Sequence, residues 1–296
     1  YIFLGEVDSI NIELIIKSFN VLKNKIHYIL ICNKTDLVKD TFYNKEKIKI
    51  NEILDPINFL NYKKNMLNIF NIENISKKKY LNYLNQIKIA NNLANITKFD
   101  LITMPINKAV FKKNMKFTGM TEYLGLINKS TTIMMMHGDI FSIIPITTHI
   151  ELKKVYKSVN SKNINLFLKN LLKFIKKKSN NFQFKEIKFL CHNPHCGEDG
   201  TLGKEDILIT KIIQKYKEIK GPYSADSIFN KINKNTLFLS TYHDQALIPF
   251  KIINKESINI TLGLNFNRLS PAHGIAKNIK NKNLADNTSY LKCLLF

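Results

Sequence analysis

Residues 187–203 read IKFLCHNPHCGEDGTLG, and the order of residue types in this stretch decides the fold class. The short apolar run IKFLC has the length and composition of a buried strand. A polar loop with one proline and three glycines follows, and a helix-like stretch begins near Gly203. The segment is therefore a βα loop. Five further β-branched or aromatic runs fit the same scheme: KIHYILIC (25–32), FDLITM (99–104), IFSIIPI (140–146), TLFLSTY (236–242) and INITLGL (258–264). Stretches with apolar residues three and four apart, such as KKKYLNYLNQIKIANNLANI (77–96), lie between several of them. Strands alternating with helices predict an α/β fold with a largely parallel sheet.

The same loop holds Cys191, His192, His195 and Cys196, yet the chain has no second Cys/His pair at finger-like distance, which argues against a self-contained zinc knuckle. The four cysteines are too few and too scattered for a disulfide framework and point to a reducing, cytoplasmic setting. No run of eighteen apolar residues is present, so no membrane span is expected. The chain opens YIFLGE, without methionine and already inside an apolar run, the pattern of a trimmed N-terminus.

A formal charge of +22 raises the reading of a basic nucleic-acid binder. Of the 45 basic residues, however, only Arg268 is arginine. Lysines spread along the whole chain beside abundant Asn and Ile fit compositional drift displayed on solvated faces, as in LLKFIKKKSNNFQFKEIK (171–188), and argue against a nucleic-acid partner. Lysine cannot supply a planar, bidentate fork, so Arg268 is a candidate anion clamp.

After Gly5 there is no glycine until Gly119, which excludes a Gly-rich dinucleotide or Walker loop in the first third. In open α/β sheets ligands collect at the carboxyl ends of strands. Three histidines sit just past apolar runs: His149, His195 and His243, the last followed by Asp244. Neutral imidazoles suit zinc, cobalt or nickel, and three protein ligands leave positions open for substrate. His27, His137 and His192 read as ordinary packed or exposed histidines.

The segments TMPINKA (103–109), PITTH (145–149), NPHCGEDGTLGKED (193–206), TYHDQALIPFK (241–251) and NITLGLNFNRLSPAHG (259–274) together resemble the 4-hydroxythreonine-4-phosphate dehydrogenase family of pyridoxal phosphate biosynthesis. The resemblance covers nearly the whole chain. It implies two α/β/α domains of the isocitrate and isopropylmalate dehydrogenase type, residues 1–112 with 272–296 on the nucleotide side and 113–271 on the metal and substrate side, with a cleft between them. It also implies a homodimer with a shared active site, a phosphorylated small-molecule substrate, NAD or NADP, and divalent zinc, cobalt or magnesium. By motif position the metal ligands are His149, His195 and His243. Substrate contacts fall on Thr121, Lys251, Asn259 and Arg268, acid–base roles on Asp244 and Lys251, and cofactor contacts on His273 and Gly274 in HGIAKNIKNKNLAD (273–286). Close relatives acting on 4-phosphothreonate or 4-phosphoerythronate share this chemistry.

Three departures stand out. GEVDSINIE (5–13) replaces a GEPAGIGPE-like segment and loses both later glycines and both prolines. Met120 stands where the family has a substrate-contacting histidine, and a thioether cannot donate a hydrogen bond. Ala272 stands where an acid is common.

Overall fold

The computed structural model describes residues 1–111, 117–177 and 182–296. Part of the lysine-rich stretch 171–188 therefore lies outside the described residues. In chain order the strands are β1 (Ile2–Phe3), β2 (Leu30–Cys32), β3 (Ile50–Glu52), β4 (Leu67–Asn71), β5 (Leu101–Thr103), β6 (Ile133–Gly138), β7 (Phe141–Pro145), β8 (Glu186–Leu190), β9 (Ile219–Tyr223), β10 (Thr236–Ser240), β11 (Ser257–Leu262) and β12 (Arg268–Pro271). They belong to two compact units, Tyr1–Leu124 with Leu264–Phe296, and Gly125–Gly263. Thr121 and Arg268 thus belong to the first unit, and the three candidate metal histidines to the second.

In the first unit the strand order is β3-β4-β2-β1-β5-β12, and every pairing is parallel. The central strands are apolar and fully covered, as parallel sheets require. The helix Lys79–Thr97 buries Tyr83, Ile87, Ala90 and Ala94, a stripe at helical spacing, and stops where Lys98 takes a left-handed conformation (φ 62°). The helix Asn11–Leu22 follows β1 and buries Ile12, Ile15, Ile16 and Phe19.

In the second unit the order is β11-β6-β7-β10-β8-β9. β7, β10, β8 and β9 run parallel, while β6 pairs antiparallel with both β7 and β11. Phe141 packs edge-on against Phe238 at 5.2 Å and Phe250 at 5.5 Å between ring centroids, so phenylalanine fills the core of a chain without tryptophan. The helix Ser161–Lys177 buries Ile164, Leu168 and Leu171 and turns most of its lysines outward. Among the described residues no helix is long and apolar enough to cross a membrane.

Candidate active site

Three loops leave the second unit's sheet at one edge, because β7, β10 and β8 are adjacent and parallel. The ladder between β7 and β10 continues past both strands: Ile146 N–H donates to Ser240 O (2.8 Å), and the Thr147 hydroxyl donates to Thr241 O (2.7 Å). Held side by side in this way, the two loops bring the rings of His149 and His243 to 5.7 Å between centroids. His243 opens the helix His243–Ile253, and its Nδ1 lies 2.7 Å from Asp244 Oδ1. That carboxylate can hold the proton on Nδ1 and leave Nε2 as the free ligand nitrogen.

The loop after β8 is shaped differently. His195, Cys196, Gly197, Glu198 and Asp199 all have positive φ, a left-handed turn that brings Cys196 back to Cys191, and the two are joined by a disulfide with Cα atoms 4.9 Å apart. This pairing is absent from the sequence reading, which argued only against a larger framework; Cys32 and Cys293 are free and buried. Asp206, buried on the following helix, anchors the start of the loop by accepting from His192 N (2.6 Å) and Asn193 N (2.9 Å). Gln245 ties the neighbouring strand ends together, accepting from Thr241 N (3.0 Å) and donating to Cys191 O (2.7 Å). His195 is exposed, its Nδ1 is 3.0 Å from Glu198 Oε1, and its pKa is raised first by that bond and then by Asp226.

Imidazole donors are right for a divalent ion. Among the described residues no group of three His, Cys, Asp or Glu side chains is arranged to hold a metal ion. His149 and His243 come together, and His195 does not join them. The other histidines make ordinary contacts: His27 stacks edge-on with Tyr62, His137 Nδ1 lies 2.8 Å from Ser142 Oγ, and His192 Nδ1 lies 3.0 Å from Thr241 Oγ1. Lys251 is exposed in the last turn of the His243 helix, and Asn259 on β11 has a buried Oδ1 with no hydrogen-bond partner.

In the first unit Arg268 is 4% exposed. Its Nε and one terminal nitrogen donate to Thr103 Oγ1 (2.9 and 2.5 Å), and the other terminal nitrogen reaches Thr121 Oγ1 at 3.5 Å. Burial lowers its pKa to about 10, opposed in part by Cys293 and Glu122, so it stays charged at neutral pH. Thr103, within the quoted TMPINKA, was not singled out from sequence; nothing in its local pattern marks it as the partner of a residue 165 positions away.

His273 follows β12. Its Nδ1 lies 2.8 Å from Gly274 O, its Nε2 is buried with no partner, and burial lowers its pKa, which favours the neutral ring. An orphaned nitrogen in this position fits a bound ligand such as a dinucleotide. A Cβ on Gly274 would meet nothing within 4 Å, so the space beside it is open.

A model of the family described as pyridoxal phosphate biosynthetic protein PdxA matches residues 11–296. The chain belongs to the PdxA family. A curated 4-hydroxythreonine-4-phosphate dehydrogenase from Sulfurihydrogenibium sp. is 30% identical over 99% of this chain and 95% of its own. Those from Hydrogenobaculum sp. and Aquifex aeolicus are 40% and 39% identical over 62% and 66% of this chain, and the matches span 60% and 62% of their own lengths. The crystal structure of 4-hydroxythreonine-4-phosphate dehydrogenase from Klebsiella pneumoniae shares the fold, with a TM-score of 0.82 at 22% identity over 99% of this chain and 96% of that one.

Two departures from the PdxA pattern are absorbed locally. Gly5 is kept, with φ 75° and a position where a Cβ would lie 2.5 Å from Pro105 O. Asn11, in place of a later glycine, donates to Leu4 O, Glu6 O and Pro105 O at 3.0, 3.2 and 2.8 Å. At Ala272 the backbone N–H donates to Ser289 Oγ (2.8 Å). Met120 begins the helix Met120–Ile127, and its thioether cannot donate the hydrogen bond that a histidine would.

Proposed function

We propose that this chain is a metal-requiring, NAD- or NADP-dependent dehydrogenase that oxidises 4-phosphooxy-threonine at its secondary alcohol, the product being a 3-keto acid that loses carbon dioxide. The observation that carries the reading is the delivery of His149, His243 and His195 from the carboxyl ends of three adjacent parallel strands, in a chain that belongs to the PdxA family.

His149, His195 and His243 would hold the ion, with the complete set drawing on two chains of a homodimer. When bound, a divalent ion lowers the cost of alkoxide-like charge on the substrate oxygen. A bound nicotinamide would supply the hydride acceptor. The chain's own residues do the rest. Arg268, braced by Thr103 and Thr121, presents a fixed guanidinium to phosphate or carboxylate. Asp244 orients His243 through the 2.7 Å contact at Nδ1 and, with Lys251, is assigned to proton movement at the hydroxyl. Asn259 and Lys251 are assigned to substrate contact on the resemblance alone. The ketone formed at C3 accepts the electrons released as the carboxylate leaves, so decarboxylation needs no further oxidant. We place the enzyme in the cytoplasm.

The test is steady-state formation of reduced nicotinamide from 4-phosphooxy-threonine, 4-phosphothreonate and 4-phosphoerythronate. The first should give the highest kcat/KM by at least roughly tenfold, about 1.4 kcal/mol of discrimination. A higher value for either of the others moves the substrate assignment. No reduction with any of the three removes the dehydrogenase reading.

A further inference from the structure

The altered GEVDSINIE segment, which should weaken the chain as an enzyme, is bound along its length to the 273–286 segment. Ile10 N–H donates to Ile275 O at 3.2 Å. Asp8 receives Lys277 Nζ at 2.5 Å and Lys280 Nζ at 3.5 Å, one on each carboxylate oxygen. Lys280 Nζ also donates to Val7 O at 3.2 Å. Further along, Glu13 Oε1 accepts from Ala285 N–H at 2.9 Å, and Lys17 Nζ donates to Asn283 O and Ala285 O at 3.2 and 2.9 Å. Asp8 and Lys280 also help to line a cavity of about 330 Å³ together with Leu4, Asn33 and Tyr83. At the start of the same segment His273 keeps its buried, unpartnered Nε2.

Most of these contacts use backbone groups and would survive many substitutions. Between the two segments, the contact that depends on side-chain charge at both ends is Asp8 with Lys277 and Lys280, and Lys280 also reaches Asp40 Oδ2 at 3.6 Å. We propose that Asp8 is a positioning residue for the nicotinamide dinucleotide: its carboxylate pins Lys277 and Lys280, and so fixes the 273–286 segment in the shape that receives the cofactor. The proposal rests on the dehydrogenase reading above. Loss of the glycines from the β1 loop is then offset, because an acid at position 8 holds the facing segment from outside while Asn11 fills the turn from within.

The test is a fluorescence titration of wild type, Asp8→Asn and Asp8→Glu with reduced nicotinamide dinucleotide, alongside steady-state kinetics and thermal melting. Two partly exposed ion pairs predict a rise of roughly fivefold in Kd and in cofactor KM for Asp8→Asn. The kcat at saturating cofactor and the KM for the hydroxy acid should stay within about twofold. Asp8→Glu, which keeps the charge, should recover most of the affinity. Wild-type Kd should weaken with added salt more than that of Asp8→Asn. If Asp8→Asn binds as wild type does, or only lowers the melting temperature, Asp8 is merely structural and the proposal fails alone. If wild type itself neither binds nor reduces a dinucleotide, the dehydrogenase reading fails and takes this proposal with it.

Discussion

Arg268 is the one guanidinium among 45 basic residues, and the fold buries it against two threonine hydroxyls. A lysine there would lose the planar fork and the double contact with Thr103. Burial would also act on a group whose ordinary pKa is only about 10.4, bringing it closer to neutrality. Truncating one partner of a buried, hydrogen-bonded charge pair costs about 2–5 kcal/mol. Arg268→Lys should therefore lower kcat/KM for the phosphorylated acid by well over tenfold in the folded protein, with cofactor Kd nearly unchanged. Unchanged kcat/KM would make Arg268 a bystander. The sequence marked this residue by its rarity, whereas its partner Thr103 carried no mark.

At the level of elements, legibility follows composition. The runs that became β2, β5, β7, β8, β10 and β11 are rich in Ile, Leu, Phe and Val-like shapes that fit a covered sheet, and each was readable. β6 was not, because IMMMHG puts three unbranched methionines where β-branched residues would have signalled a strand. β3 and β4 were hidden by asparagine. Asn51 and Asn68 are buried in these strands and satisfy each other, Asn51 Nδ2 donating to Asn68 Oδ1 at 2.8 Å, so polar letters stand at core positions. The site divides in the same way. His149 and His243 stood out in the sequence because each follows an apolar run. The roles of Asp206 and Gln245, which fasten the strand ends, and the Cys191–Cys196 link depend on a left-handed turn and on tertiary contacts that no local pattern encodes.

At the level of the whole molecule, the three histidines proposed to share one metal ion are not gathered around a common point among the described residues. If one of the three is supplied by the neighbouring subunit, chains crippled at different ligands can restore one good cleft between them. Mixing His149→Ala protein with His195→Ala or with His243→Ala protein through unfolding and refolding should, in at least one of the two mixtures, return activity to about a quarter of wild type, since random pairing makes roughly half the dimers mixed and each has one intact site of two. Background activity after verified subunit exchange would assign all three ligands to one chain. Metal dependence is decided by one assay on the wild-type protein: reduced nicotinamide and carbon dioxide formed from 4-phosphooxy-threonine after metal removal by chelation, and again after adding back a divalent ion. A metal-requiring dehydrogenase should show negligible turnover without metal and recovery with it, at one carbon dioxide per reduced nicotinamide. Undiminished turnover in the metal-free protein, or none in the metal-restored protein, would contradict it.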